Sequence, residues 1–210
     1  MSYLKKIDRH APATTDFPGG VGEGANIRTP CGPRRVELVR PGDLIVTRDN
    51  GLQPVRLIWQ REIKPADIAA GLSAAPICLC PRAVGPMMPQ NKIYLAPDHR
   101  VLVPGYRLLG QDETTCCLVQ AQELAKSSDA AYTDSTAMVT QFYTFIFDTH
   151  QVFCCNGLPV ESFLAGAKEI SKLRESHRHD IVNLFPRLQS EPNAYPPIEY
   201  KPLMNAEFVA

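Results

Sequence analysis

The chain of 210 residues has no excess of charge of either sign and no long apolar run. Lys and Arg together number 22, as do Asp and Glu, and this balance argues against binding to the phosphates of nucleic acids. No stretch approaches the roughly 20 consecutive apolar residues of a membrane span. No apolar run follows the two N-terminal lysines, which argues against a secretory signal peptide. We therefore expect no nucleic-acid partner, no membrane span and a cytoplasmic location, with export without a cleaved signal as the alternative.

Proline is abundant, at 19 residues beside 13 glycines, while 44% of the chain is apolar. Each proline removes a backbone donor and disfavours the helical turn before it, so this density favours short strands joined by turns. The seven cysteines include two adjacent pairs, Cys116–Cys117 and Cys154–Cys155. Because neighbouring residues on a strand point to opposite faces, these pairs favour free thiols over a disulfide framework.

Patterning divides the chain into four parts. Residues 1–19 are polar and aperiodic, which predicts a flexible leader. Residues 24–163 read as short strands separated by turns, the longest β-like run being residues 141–155. After residue 163 the apolar period becomes helical, and the last part, residues 189–210, carries prolines and little pattern, which predicts a tail.

Three sequence blocks occur in an order that resembles the Hint (Hedgehog/intein) domain family, most closely its bacterial subfamily. The first block, residues 24–51, contains R-P-G-D-L; the second, residues 93–103, contains D-H-R-V-L-V; the third, residues 145–163, begins F-I-F-D-T-H. The resemblance covers about residues 20–165, and the helical segment 166–188 is similar to C-terminal extensions of the bacterial subfamily.

The resemblance implies an all-β fold: a Hint-type horseshoe of short curved strands in two pseudo-symmetric halves, plus a short C-terminal helical extension. It also implies a chemistry. Active members carry Cys or Ser at the first residue of the domain, and this nucleophile attacks the preceding carbonyl. A histidine in the second block helps to protonate the leaving amide nitrogen, and a Thr or Ser three residues before it fixes the geometry. A terminal His-Asn pair completes release in members that splice.

The nucleophile position of the family falls at Gly20, which has no side chain able to attack a carbonyl. Residues 17–24 contain no Cys, Ser or Thr. The nearest thiol is Cys31, eleven positions further on in a predicted turn. A strand advances about 3.3 Å per residue, so no side-chain rotation brings Cys31 to the place of Gly20. Cys31 is therefore a candidate only as a relocated nucleophile, and the alternative is an incidental thiol in a turn.

His99 matches the histidine of the second block. It is a candidate proton donor or pocket-lining imidazole, with a purely structural role in the turn after Pro97 as the alternative. Asp98 is a candidate for orienting His99 or for capping the turn. The position three residues before His99 is Ala96, so the orienting hydroxyl of the family is missing.

Asp148 and His150 match the third block. Residues two apart on a strand share a face, so the pattern predicts both side chains at the same cleft, with a solvated strand face as the alternative. The terminal His-Asn pair of splicing members is replaced by Glu161 and Ser162, which removes the Asn-dependent release step.

The primary hypothesis is a degenerate Hint domain that does not cleave itself and acts as a binding module for an unidentified protein partner, without a cofactor. One alternative is an active self-processing domain that uses Cys31 with His99 and His150. Another is a divalent-metal protein whose ligands are Asp98, His99, Asp148 and His150, residue types that suit Zn²⁺. The sequence therefore leans against an enzyme without excluding one.

Overall fold

The structure, a computed structural model, describes residues 19–139, 141–191, 193–196 and 200–209. Apart from Gly19, the leader predicted for residues 1–19 lies outside the described residues. The strands are β1 (Val21–Gly22), β2 (Asn26–Thr29), β3 (Gly32–Arg35), β4 (Leu44–Val46), β5 (Leu52–Pro54), β6 (Leu57–Glu62), β7 (Ile77–Leu79), β8 (Ile93–Leu95), β9 (Arg100–Pro104), β10 (Cys116–Gln120), β11 (Ala131–Thr133), β12 (Gln141–Ile146), β13 (Val152–Cys155), β14 (Leu158–Glu161) and β15 (Lys201–Leu203). The α-helices are α1 (Pro65–Ala69), α2 (Ala121–Leu124), α3 (Ala167–Ser171) and α4 (Glu175–Leu184), and short 3₁₀ turns cover Val36–Leu38, Gly105–Arg107 and Pro186–Gln189.

The strands form two larger sheets and one two-stranded ribbon. The six-stranded sheet has the order β11-β7-β8-β1-β12-β6, the seven-stranded sheet has the order β15-β10-β9-β14-β13-β2-β3, and β4 pairs with β5. Many adjacent strands of these sheets are distant in sequence, such as β1 and β12 or β2 and β13. Each sheet is therefore complete only when the early and late strands of the chain pair with one another. The all-β class predicted from proline and turn patterning is confirmed.

The two-residue strand β1 occupies a central place in the six-stranded sheet. Val21 pairs with Tyr143 of β12 on one side and with Leu95 of β8 on the other. A main core of buried aliphatic and aromatic side chains, including Phe145, Phe147 and Phe153, packs between the sheets. Because β1 is held from both sides against this core, the residues just before it have a fixed position.

The predicted strand over residues 141–155 is interrupted. It ends at Ile146, and a bend at Asp148 and Thr149 separates β12 from β13. The aromatic and β-branched residues do favour extended backbone, but the two strands belong to different sheets. The chain therefore changes direction where the sequence predicted one continuous run.

The helical extension predicted after residue 163 is present as α3, α4 and the following 3₁₀ turn. It packs on Trp59 and Ile146 of the sheet and forms a second apolar cluster, which also contains Phe163, Ala165, Leu173, Ile181, Leu188 and Tyr195. The structure differs from the prediction of a tail beyond residue 189. Residues 201–203 form β15, which pairs in parallel with β10, and Leu108 bridges to Phe208.

All seven cysteines are unpaired, and their exposure varies from the buried Cys155 to the exposed Cys31. Within the described residues, no helix has the length and apolar character needed to cross a membrane.

Candidate functional site

The peptide bond between Gly19 and Gly20 lies against His99. The Gly20 N–H donates to His99 Nδ1 at 3.1 Å, and the Gly20 carbonyl accepts from the Ala96 N–H at 2.9 Å. The Gly19 carbonyl accepts from the Thr144 hydroxyl at 3.4 Å. β1 holds this peptide between β8, which leads to the turn of His99, and β12, which carries Thr144. The structure thus brings together two residues that the sequence places 79 positions apart.

Both glycines sit where a side chain would not fit without movement. Gly19 has φ +65°, and a Cβ there would lie 2.8 Å from His99 Nδ1. Gly20 has φ +139°, and a Cβ there would lie 3.1 Å from the Cβ of Phe142. Positive φ is a conformation that residues with a Cβ rarely adopt. The backbone at this point is therefore suited to glycine specifically.

His99 is buried in the turn between β8 and β9. Its backbone N–H donates to the Ala96 carbonyl at 3.0 Å, and its backbone carbonyl accepts from the Ala121 N–H at 2.9 Å. Because Nδ1 accepts from Gly20, the ring proton of the neutral imidazole is on Nε2. Burial lowers the pKa of His99 from 6.5 to about 4, against the opposing charge of Glu161. His99 is therefore a neutral hydrogen-bond acceptor at pH 7.

Asp98 binds the backbone that precedes Gly20. Its Oδ2 accepts from the Gly19 N–H at 3.3 Å. Burial raises the pKa of this carboxyl above its ordinary value, and the hydrogen bonds from its own backbone and from Gly19 act in the opposite direction. Asp98 and His99 thus fix two consecutive amides, one through each side chain.

Glu161 is nearly buried and lies between Arg100 and His150. The Arg100 guanidinium lies 3.3 Å from Glu161 Oε2, and His150 Nε2 lies 3.5 Å from the same oxygen. The Arg100 backbone N–H also donates to Glu161 Oε1 at 3.3 Å. Burial alone would raise the pKa of Glu161, but the neighbouring His150 ring and the charge of Arg100 hold it below its usual value. The carboxylate is therefore ionised at neutral pH.

Asp148 does not share the site of His150, which corrects the expectation of a common face. The bend after β12 turns the Asp148 side chain outward, where it is 51% exposed and lies 3.4 Å from Arg56. His150 is buried beside Glu161. The period-two rule holds only while the backbone stays extended, and here the strand has already ended.

Cys31 lies on the exposed turn between β2 and β3. It is not among the residues that line the His99 pocket. The backbone N–H of Cys31 bonds to the Thr29 hydroxyl at 3.3 Å, an ordinary turn contact. The structure places this thiol in a different sheet from the strand β1 that follows Gly20.

A cavity of about 120 Å³ opens beside His99. One wall comes from the sheets and carries the glycine peptide and the charged groups, and the other comes from the C-terminal extension. The lining residues are Gly19, Asp98, His99, Arg100, Gln120, Thr144, Glu161, Ser162, Phe163, Leu164, Glu169, Lys172 and Leu173.

Sequence reasoning missed two participants in this site. Thr144 was counted only as part of a β-like run, although a hydroxyl in a buried strand needs a hydrogen-bond partner. Glu161 was noted only as a replaced splicing residue, yet a carboxylate at the end of the apolar run 158–160 signals a buried ion pair. Ser162 accepts from the Gln151 N–H at 2.9 Å and so supports the strand.

Within the part of the chain that the structure describes, no group of three or more His, Cys, Asp or Glu side chains is arranged to hold a metal ion. The predicted ligand set is divided, because Asp148 pairs with Arg56 at the surface. Glu161, the carboxylate near His150, is already neutralised by Arg100.

Comparison with known proteins finds one matching family model and two similar solved structures. A family model described as the Hint domain matches residues 21–167. The chain is similar to the crystal structure of the gp41-1 intein, with 10% identity, a TM-score of 0.40 and coverage of 69% of this chain and 98% of that chain. It is also similar to the solution structure of a bacterial intein-like domain from Clostridium thermocellum, with 13% identity, a TM-score of 0.42 and coverage of 70% and 99%. No curated protein sequence matches the chain.

Proposed function

The chain belongs to the Hint domain family, and we propose that it is a member that has lost self-cleavage and acts as a protein-binding module. The observation that carries the proposal is Gly20. This residue follows the peptide bond that lies against His99, at the position where active members carry a Cys or Ser nucleophile, and glycine has nothing to attack with.

The surroundings of Gly20 support a site that has been rebuilt without the nucleophile. A cysteine or serine would place its Cβ 3.1 Å from Phe142 and would have to adopt φ +139°. The position of the family's orienting hydroxyl is Ala96, which is buried and has no polar atom in its side chain. A nucleophile at position 20 would thus lack both the space for its side chain and the hydroxyl group that fixes the geometry of the site.

The state of His99 also favours a passive site. A general acid must carry a proton when the leaving amide departs. With a pKa of about 4, the imidazole is neutral at physiological pH, and its Nδ1 lone pair accepts from the amide that it would have to protonate. His99 therefore stabilises the intact Gly19–Gly20 peptide bond.

A binding role is supported by the cavity and by the charges around it. Lys172 and Glu169 line the cavity on the side of the extension, and Arg100 and Glu161 line it on the side of the sheets. Charges of both signs beside apolar Leu164 suit a polypeptide segment with mixed side chains better than a phosphate backbone.

Intact-mass spectrometry tests the loss of cleavage. The purified chain is incubated with dithiothreitol and with hydroxylamine at pH 7.0 and 8.5, and a self-cleaving Hint domain serves as the positive control. We expect the wild type, His99→Ala and Cys31→Ser to keep the full-length mass. A wild-type product that lacks residues 1–19, and that disappears in either variant, would instead establish an active processing domain.

Photo-crosslinking tests the binding role. A photoreactive amino acid replaces Lys172 at the cavity, and the matched control replaces Lys126, which is exposed and outside the cavity lining. We expect a discrete protein adduct from position 172 only. Equal labelling from both positions would remove the support for a binding site at this cavity.

A further inference from the structure

The C-terminal extension covers the cavity of His99. Leu164, Glu169, Lys172 and Leu173 form one wall of it, while Gly19, His99 and Glu161 belong to the opposite wall. We call residues 164–189 the strap. Since His99 is only 5% exposed with the strap in place, a macromolecular partner has no direct route to it.

The strap is attached to the domain by side chains and not by backbone pairing. The last backbone bond that joins this region to the sheets is the one from the Phe163 N–H to the Phe145 carbonyl, at 2.9 Å. The backbone–backbone hydrogen bonds formed by described residues from 164 to 196 all stay within that segment. A segment held in this way can open without breaking a sheet.

Trp59 is the central attachment point. His177 of α4 stacks on its indole with ring centroids 4.4 Å apart, and Phe163 meets it edge-on at 5.1 Å. The indole Nε1–H donates to Asp180 Oδ2 at 3.0 Å. Leu173 is buried in the same cluster and also lines the cavity, so the residue that anchors the strap is one that closes the pocket.

The apolar cluster under the strap is separate from the main core. Its buried members from the sheets are Trp59 and Ile146, and the others come from Phe163 and the residues after it. The main core includes Phe145, Phe147 and Phe153 and contains no residue of the strap. Opening of the strap therefore exposes the cavity while the sheets keep their own packing.

We propose that the strap is a built-in lid that opens from Trp59 as a unit and uncovers the cavity beside His99. The proposal rests on the proposed function for the identity of the binding cavity. Its test measures access to an imidazole and is independent of self-cleavage, so the two proposals can fail separately.

Deuterium exchange at the imidazole C2 position, followed by mass spectrometry, measures access to each histidine of the full chain. Exposed His179 gives the fast reference, and buried His150, which does not line the cavity, gives the slow one. Leu173→Ala and Asp180→Ala each weaken the attachment of the strap. The matched control is Lys168→Ala, an exposed position of α3 outside the cavity lining.

We expect His99 and His177 to exchange about tenfold faster in both strap variants, since loss of the buried Leu173 packing or of the part-buried Asp180 acceptor shifts a local opening equilibrium by about that factor. His150 should keep its wild-type rate, and Lys168→Ala should match the wild type throughout. Unchanged exchange at His99, or equal acceleration of His99 and His150, would overturn the proposal, because the strap would then not cover the site or would not open separately from the domain.

Discussion

Lowering the pH from 7 to 4 should destabilise the fold through His99. Burial lowers the pKa of this imidazole from 6.5 to about 4. Above pH 6.5 the ring is neutral in both the folded and the unfolded states, and the contribution of His99 to the free energy of unfolding is fully present. Between pH 6.5 and 4 the unfolded chain binds a proton that folded His99 does not bind, so stability falls over this window. A lowering of the pKa from 6.5 to about 4 corresponds to about 3 kcal/mol of unfolding free energy over this window.

Urea unfolding at a series of pH values measures this contribution. The protein is compared at each pH with His99→Asn, whose amide oxygen keeps an acceptor for Gly20 and does not titrate. Far-UV circular dichroism is the better probe, because Trp59 is the single tryptophan and reports on the strap. The wild type should lose about 3 kcal/mol relative to the variant between pH 7 and 4, whereas exposed His179→Asn should show no such trend. A difference between wild type and His99→Asn that stays constant over this window would refute a buried, neutral imidazole.

Three further predictions concern the charges, the glycines and metals. Arg100→Leu leaves Glu161 nearly buried without its cation and should cost about 3 kcal/mol of unfolding free energy. Arg187→Leu breaks an exposed ion pair and should cost less than about 0.5 kcal/mol. Equal losses of stability in the two variants would contradict a buried pair at Arg100. In Gly19→Ala the new Cβ lies at positive φ and against the His99 ring, whereas in Gly71→Ala φ is similar and the surrounding space is open. Gly19→Ala should therefore lower the free energy of unfolding by at least about 1 kcal/mol more than Gly71→Ala. Equal losses of stability would show that the contact with His99 is unimportant. EDTA should leave the melting temperature unchanged, and a fall of several degrees would indicate a bound metal.

The sequence was sufficient for the family, the all-β class and the helical extension. Proline density and turn residues act locally, so they can be read without knowing what packs on them. Counting back from the first block also identified Gly20, and the structure places this residue beside His99.

The remainder of the site depends on contacts between distant parts of the chain. The bend at Asp148 arises where the chain passes from one sheet to the other, and no local signal in the β-rich run marks it. The partnership of Arg100 with Glu161 joins strands 61 positions apart. The strand β15 exists only because β10 offers it an edge, so a segment with prolines and no periodicity resembled a tail.

The central place of β1 gives the molecule an unequal resistance to mechanical force at its two ends. A load applied through Gly19 meets hydrogen bonds to β8 and to β12 at the same time. A load applied beyond β15 meets the short bridge between Phe208 and Leu108 and then a strand bonded on one side only, after which it reaches a strap held by side chains. Stretched from its C-terminal side, the polypeptide should unravel stepwise at low tension, whereas traction on the opposite end must rupture the middle of a sheet in one event.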